Sequence, residues 1–241
     1  MENIKKNIKK VFPSMYRFFA NIKNNLFWYP KKSYSLCGED IILSYFIIDI
    51  DKVKNGFYID IGACSPVKIS NTYYFYKKGW QGINIDAKPG SMTSFNRKRR
   101  RDINLEIGIS KNEGNLDFYT YEVPFYNTFS KDLAYSRKNN GLSFEKIETV
   151  KTKRLENVLD QYLPKNKKID FMSIDVEGLD LEVLESNNWD KYKPNYILIE
   201  TQDKNLENVK DSIIYKFLTN KNYKLISIAD ITLIFKYEVK L

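Results

Sequence analysis

Two acidic residues at the ends of strand-like runs carry the first chemical signal in this chain. Asp60 lies in the β-rich run of residues 57–63, and Asp86 ends a second such run, residues 81–86. The interval between the two acids has room for one crossover helix joining two parallel strands. In a nucleotide-binding βαβ unit of this kind, the second carboxylate bonds the ribose hydroxyls. The spacing therefore predicts a site for a cofactor that contains a nucleoside.

The glycine pattern narrows the choice of cofactor. A dinucleotide needs a glycine-rich turn because the backbone must approach a pyrophosphate, yet Gly62 is followed by Cys64 and Val67 where further glycines would stand. A single glycine suffices for a nucleoside-sized ligand without phosphates, such as S-adenosylmethionine. We then expect Asp86 to bind the ribose and Asp60 to lie near the ammonium and sulfonium charges. A turn or cap role for the two acids is the alternative.

Further cofactor contacts are expected around these two strand ends. Asn71 and Thr72 stand at a predicted helix start, which could receive the methionine carboxylate. Cys64 is expected to line the loop as a small side chain rather than as a nucleophile, because no base is evident nearby. The full predicted cofactor set is Asp60, Gly62, Ala63, Cys64, Asn71, Thr72, Asp86, Ala87, Ile109 and Ser110.

A second group of acids marks the predicted reaction centre. Residues 169–174 are typical of a buried central strand, Asp175 and Glu177 follow its carboxyl end, and Glu200 ends the next strand. We predict Asp175 as general base or acceptor-positioning group, with Glu177 and Glu200 beside it. Crowded carboxylates raise at least one pKa, which suits a base and would also suit an oxygen-ligated cation, although we assign no metal ligand. Glu177 could instead be a helix N-terminal acid.

The alternation of predicted elements indicates how these residues are positioned. Strands and helices alternate along most of the chain, which favours a parallel sheet, whereas the last two strands are joined by a tight turn and must be antiparallel. A hairpin-like pair interrupts the alternation, and its polar connection at residues 126–140 could be an acceptor wall or an ordinary surface loop. The predicted helices are 39–48, 71–78, 89–97, 154–162, 179–186 and 206–219; the predicted strands are 57–61, 82–86, 103–109, 115–121, 145–152, 169–174, 195–200, 222–228 and 231–237.

The predicted fold is therefore α/β, of the class I methyltransferase (Rossmann-like) type. It has a mostly parallel seven-stranded sheet, an antiparallel C-terminal hairpin, helices on both faces and a basic helical N-terminal arm. With 241 residues, 43% hydrophobic, the chain suits one such domain over residues 35–241, preceded by the arm at residues 1–34. It has two cysteines and no histidine, so a disulfide framework and a zinc site are both disfavoured, and a cytoplasmic location is expected.

The excess of positive charge is concentrated rather than spread. The formal net charge is +9, and most of it falls in residues 1–32, whose apolar residues are helically spaced. That arm could dock on the body, form a dimer contact or lie on a membrane surface as a peripheral helix, and the first two are favoured. A second basic run, residues 97–101, is interpreted as a solvated helix end in preference to an anion site.

Beyond these patterns, the chain resembles the FkbM family of S-adenosylmethionine-dependent methyltransferases over residues 35–201. Two departures concern Asp86-Ala87, where many relatives have Glu-Pro, and Asp180, where Glu is usual. The segments that carry the resemblance are Ser35-Leu36-Cys37-Gly38-Glu39-Asp40, residues 57–63, Ser70-Asn71-Thr72-Tyr73, residues 78–83, Asp86-Ala87-Lys88-Pro89, Gly108-Ile109-Ser110, Asn127-Thr128 and residues 169–178.

The resemblance implies an O-methyltransferase that acts on a sugar hydroxyl or a related group. The expected acceptor is a bacterial surface glycan (capsule or lipopolysaccharide) or its phosphorylated or nucleotide-linked precursor. It also implies that residues 108–110 form the floor and edge of an adenine site. The alternative is an RNA methyltransferase or nucleic-acid-binding module that uses the basic arm. The nearly neutral body argues against it, because phosphate contacts should spread over the substrate-presenting face.

Overall fold

The computed structural model describes residues 32–50, 52–201 and 206–238. The chain divides into two units, Met1–Lys32 and Ser33–Leu241, and the architecture below is that of the second unit. The predicted arm, with its docking, dimer or membrane role, lies almost entirely outside the described residues.

The described strands form two sheets. The main sheet has seven strands in the order β3-β2-β1-β7-β8-β10-β9, parallel except for β10, which is antiparallel to both of its neighbours. A smaller sheet has the order β4-β6-β5. The predicted seven-stranded sheet with an antiparallel C-terminal hairpin is thus confirmed. The strands are β1 Phe57–Ile61, β2 Gln81–Asp86, β3 Ile103–Glu106, β4 Gly108–Ile109, β5 Gly114–Thr120, β6 Lys146–Lys153, β7 Phe171–Ile174, β8 Tyr196–Glu200, β9 Tyr223–Ala229 and β10 Thr232–Tyr237.

Helices flank the sheet, and their amphipathic spacing explains their packing. In α5, for example, Leu155, Val158 and Leu159 are buried at the i, i+3, i+4 spacing of one helix face. No helix among the described residues is long and apolar enough to cross a membrane. The helices are α1 Glu39–Ile41, which continues as a π-helix over Ile42–Ile47, then α2 Tyr73–Lys77, α3 Met92–Lys98, α4 Lys131–Asn139, α5 Leu155–Tyr162, α6 Asp180–Glu185 and α7 Ile213–Asn220, with 3₁₀ turns at Pro124–Tyr126 and Leu206–Asp211.

The central strand β1 supplies both layers of the core. Ile59 and Ile61 belong to the larger apolar cluster on one face of the sheet, whereas Tyr58 belongs to the cluster on the other face. Successive side chains of a strand point to opposite faces, so Asp60 lies on the same face as Tyr58. The neighbours of β1 in the sheet are β2 and β7. The order in which strands are added to the sheet therefore reverses at β1. Open α/β sheets have their ligand crevice at such a point.

Three predicted elements differ from the structure. The strand predicted over residues 103–109 breaks at Ile107, and Gly108 starts β4 in the smaller sheet. The connection predicted as a polar loop contains α4, because Ser130 caps that helix by accepting a hydrogen bond from the Leu133 N–H at 3.2 Å. The helix predicted over residues 206–219 is divided by Ser212, which caps α7 in the same way.

Candidate active site

A cleft opens at the carboxyl ends of β1, β2 and β7. Ligand sites of open α/β sheets collect at this edge. The predicted site residues that line it are Gly62, Cys64, Asp86, Ala87, Ile109, Asp175 and Glu177.

The Gly62 turn brings the two acidic strand ends to one cleft. Gly62 has φ of 82°, and a Cβ there would lie 1.7 Å from the carbonyl oxygen of Asp175. The N–H groups of Gly62 and Ala63 both donate to the Ile85 carbonyl, at 2.9 and 3.0 Å. Only glycine allows this backbone conformation and this close approach together. The turn therefore joins the end of β1 to the ends of both neighbouring strands.

Asp86 is held by the backbone at the end of β2. One carboxylate oxygen accepts from the Cys64 N–H and the other from the Lys88 N–H, each at 2.8 Å. Burial raises the pKa of Asp86, and these two hydrogen bonds oppose that rise by favouring the charged form. Because a carboxylate has about four acceptor positions, Asp86 can still accept from a ribose diol.

The donor set of the cleft fits a nucleoside and not a diphosphate. Its lining carries one basic residue, Lys88, and its wall near β4 is apolar, formed by Ile107, Ile109, Phe118 and Phe129. Gly108 lets the chain pass close to this wall, since a Cβ there would lie 2.6 Å from the Phe129 ring. An apolar slot beside one ordered carboxylate suits an adenosine group such as that of S-adenosylmethionine.

Five predicted cofactor residues do not line the cleft. Asp60 is only 6% exposed and accepts a hydrogen bond from the Thr72 hydroxyl at 2.6 Å. The Asn71 amide donates to Ser173. Ala63 is buried, and the buried Ser110 hydroxyl donates to Glu182. These residues lie outside the lining of the cleft, and direct contact with a cofactor remains a prediction for them.

Arg99 explains why Asp60 and Thr72 face inward. Its guanidinium is fully buried, pairs with Asp102 at 2.8 Å and donates to the Thr72 hydroxyl at 2.9 Å and to the Pro66 carbonyl at 3.0 Å. Pro66 belongs to the loop that follows Gly62, so this arginine ties that loop to the sheet. The interpretation of residues 97–101 as a solvated helix end is wrong for Arg99. The acid three residues later, at ion-pair spacing, was the available signal.

Three carboxylates meet at the ends of β7 and β8. One oxygen from each of Asp175, Glu177 and Glu200 lies within 4.8 Å of the others. Burial, then Glu200 and Glu177, hold the pKa of Asp175 well above its usual range. Burial and the neighbouring acids raise the pKa of Glu200 to about 7. The predicted crowding is confirmed, since the three carboxylates lie close together and Glu200 contributes to the raised pKa of Asp175.

One atom of this rim stands out. Oδ1 of Asp175 is enclosed and accepts no hydrogen bond from any described residue. Buried polar atoms nearly always have a partner, so this oxygen is a place where a ligand, a water molecule or a protonated Glu200 would donate. The oxygen-only donor set could also hold Mg²⁺ or Ca²⁺, although an arginine already pairs with Glu177.

Glu177 is held by residues of the connection between β5 and β6, a contact that the sequence did not predict. Its backbone has φ of 54°, and its carboxylate pairs with Arg137 at 2.5 Å. The Thr128 hydroxyl donates to its carbonyl oxygen at 2.6 Å. Glu177 lies before α6, whose first turn instead contains Asp180; the Asp180 carboxylate accepts from the N–H groups of Val176 and Gly178 in the preceding loop.

Comparison with known proteins identifies a family that this chain matches. The model of the methyltransferase FkbM domain matches residues 60–225, more than half of the chain. A search of curated proteins found no match. Among solved structures, a TehB-like SAM-dependent methyltransferase from Corynebacterium glutamicum aligns with 94% of this chain and 100% of its own. The two are 11% identical with a TM-score of 0.37, too low for that similarity to carry an argument.

Proposed function

This chain belongs to the FkbM methyltransferase family, and we propose that it methylates a hydroxyl group of a sugar. We infer as acceptor a bacterial surface glycan, capsule or lipopolysaccharide, or its phosphorylated or nucleotide-linked precursor. The observation that carries the reaction type is the unpartnered Asp175 oxygen, next to the single-glycine turn of the cleft. The proposal includes a cytoplasmic location, which suits the free thiols of Cys37 and Cys64.

The family and the fold imply S-adenosylmethionine as methyl donor, and the residues present fit it. Asp86 would hold the ribose hydroxyls, the Gly62 turn would lie against the nucleoside, and Ile109 with the aromatic wall would enclose the adenine. When bound, it supplies a methyl group whose bond to sulfur breaks as a bond to the acceptor oxygen forms, the sulfur keeping the electron pair. The protein contributes alignment, worth up to ~7–11 kcal/mol in ideal cases.

A neutral hydroxyl must also lose its proton, and the rim can accept one. Oδ1 of Asp175 would accept a hydrogen bond from the acceptor hydroxyl and then its proton, which the neighbouring Glu200 carboxylate can share. Proton removal by a positioned base contributes typically ~10²–10⁴-fold. Burial raises the pKa of both carboxyl groups, that of Glu200 to about 7, which makes them more basic than exposed carboxylates.

The test begins with the cofactor and then asks for the acceptor. Titration calorimetry with S-adenosylhomocysteine should give micromolar binding; no heat at high micromolar ligand would end the methyltransferase proposal. Methyl-labelled S-adenosylmethionine is then incubated with capsule and lipopolysaccharide fractions and with sugar nucleotides. We expect label in alkali-stable ether linkages of one glycan fraction and none with Asp175→Asn. Label only in added RNA would favour the alternative function instead.

The rim itself speaks against a nucleic acid as acceptor. Asp175, Glu177 and Glu200 gather negative charge where the acceptor must react, and only Arg137 pairs with one of them in the described chain. Nucleic-acid sites instead neutralise several phosphates with lysine and arginine. The basic residues that motivated that alternative lie mainly in residues 1–32, almost all outside the described part of the chain.

A further inference from the structure

The connection between β5 and β6 forms one wall of the cleft. We call residues 121–145 the insertion; it contains the Pro124–Tyr126 turn and α4. Pro124, Phe125, Asn127 and Phe129 from this insertion line the same cleft as Gly62 and Asp175. The Phe125 ring is 44% exposed, as expected of a side chain at a cleft mouth. The insertion therefore helps to define what can reach the carboxylate rim.

One side chain joins this wall to the rim. Arg137 donates from Nη2 to the Glu177 carboxylate at 2.5 Å and from Nη1 to the Tyr126 carbonyl at 2.7 Å. Both side chains of the ion pair are largely shielded, 16% and 20% exposed. The guanidinium also lies 5.3 Å from the centre of the Tyr126 ring. Only arginine can reach two acceptors in this way, because its donors form a rigid planar fork.

A second contact between the insertion and Glu177 involves the Thr128 hydroxyl. The Thr128 hydroxyl donates to the carbonyl of Glu177 and accepts from the N–H of Ser130, which caps α4. Gly178 leaves room for this contact, since a Cβ there would lie 3.3–3.4 Å from Leu133 and Ser130. The insertion thus contacts both the side chain and the backbone of Glu177.

We propose that Arg137 is a positioning residue of the active site: it fixes residues 124–127 of the insertion as the acceptor-side wall and neutralises Glu177 beside Asp175 and Glu200. The inference rests on the proposed function, which gives that rim its role as base. Asp175 is faced by Glu200, Glu177, Asp180 and Asp60, and Glu200 is also faced by Glu39. A cation paired with one member of such a group keeps the others more readily ionised.

The two parts of the proposal can be tested without cofactor or acceptor. In free enzyme carrying ¹³C-labelled carboxyl groups, NMR titration follows Asp175 and Glu200, and hydrogen exchange follows the amides of residues 126–128. Arg137→Gln should raise the apparent pKa of the Asp175–Glu200 pair by roughly half a unit or more and speed amide exchange by about tenfold. The matched control is Lys138→Gln, an adjacent basic residue on α4, which should change neither.

Two more variants separate charge from geometry. Arg137→Lys keeps the positive charge but lacks the planar guanidinium with its two donor groups. The pKa of the Asp175–Glu200 pair should therefore stay near that of the wild type, while the amides of residues 126–128 should exchange as fast as in Arg137→Gln. Glu177→Gln should lower the pKa of the pair, and adding Arg137→Gln to it should give at most half the rise seen in the single variant.

Several results would overturn the proposal. An unchanged pKa of the pair together with unchanged exchange in Arg137→Gln would do so, and so would equal effects in Lys138→Gln. If Arg137→Gln does not fold, Glu177→Gln provides the test. An unchanged pKa of the Asp175–Glu200 pair together with unchanged amide exchange of residues 126–128 would show that the Arg137–Glu177 contact has no positioning role. Failure to bind S-adenosylhomocysteine would leave these readouts untouched, so a failure of the proposed function can be distinguished from a failure of the Arg137 proposal.

Discussion

At the end of β2, the carboxylate of Asp86 accepts two backbone N–H bonds, whereas at the end of β7 the Oδ1 atom of Asp175 accepts none. Both groups are acids at the carboxyl ends of parallel strands in one sheet, and both line one cleft. A carboxylate whose hydrogen bonds favour its charged form is suited to holding a ligand. A carboxylate crowded by others and left without a donor is suited to changing its protonation state.

The same contrast extends into the surrounding shell. Behind the cofactor side, the buried Arg99 pairs with Asp102 and donates to Thr72, which in turn donates to Asp60. Behind the reaction side, Glu200 and Asp175 face further acids. Polar groups are thus paired around the proposed cofactor side of the cleft, and negative charge is in excess at the carboxylates proposed to accept a proton.

The largest effect is expected at the unsatisfied acid. Asp175→Asn keeps the shape but cannot take a proton, so methyl transfer should fall by ~10²–10⁴-fold. Binding of S-adenosylhomocysteine should change by less than about threefold, since the satisfied side is untouched. Transfer rates and calorimetry measure the two. Full activity in this variant would remove Asp175 from the role of base and erase the contrast.

The next effect concerns stability on the satisfied side. Arg99→Met leaves Asp102 and Asp60 buried without their cation, which should lower the free energy of unfolding by ~3–5 kcal/mol. Arg100→Gln, an exposed neighbour, should stay within about 0.5 kcal/mol of the wild type. Urea denaturation measures both. Equal stabilities of the two variants would show that the buried network does not support the loop.

A smaller effect is expected for the ordered acid itself. Asp86→Asn loses charge-assisted hydrogen bonds worth ~1.5–3 kcal/mol each, so S-adenosylhomocysteine should bind about 10–100-fold more weakly. Glu106→Gln is the control, because Glu106 ends the adjacent strand β3 and does not line the cleft. Calorimetry at one salt concentration compares them. Equal affinity in Asp86→Asn and the wild type would contradict the ribose role.

The smallest expected effect is the pH dependence of stability that Asp175 causes. The folded-state pKa of Asp175 is raised, so between its unfolded value, about 4, and its folded value the native state binds more protons. Stability should therefore fall as pH rises through that window, while activity rises through the pKa of Glu200 near 7. Asp175→Asn should be more stable than the wild type at pH 8 by ~1–2 kcal/mol and no more stable at pH 4. Thermal unfolding at both values decides; equal curves would mean that the rim stores no repulsion.

Much of the architecture could be predicted because it depends on local pattern and on topological rules. Alternating strands and helices indicate a parallel sheet, and a tight terminal turn indicates an antiparallel pair. Acids that follow buried strands must then meet at one edge, which is why the positions of Asp86, Asp175 and Glu200 at that edge could be predicted. The errors have local causes. The Ser130 cap was not recognised as a helix start, and the break at Ile107 depends on Phe129 packing against Gly108.

Periodicity and residue type are enough to predict the alternation of strands and helices, the edge where acids collect and the lack of a glycine-rich diphosphate-binding turn. Which of those acids have hydrogen-bond partners depends instead on contacts between parts of the chain that are distant in sequence. Arg99 meets Thr72 and Arg137 meets Glu177 across long stretches of chain, and Gly62 meets the Asp175 carbonyl across the sheet. Whether a carboxylate binds or reacts depends on such neighbours, since solvation and nearby charge set its protonation, and neither is encoded in local sequence.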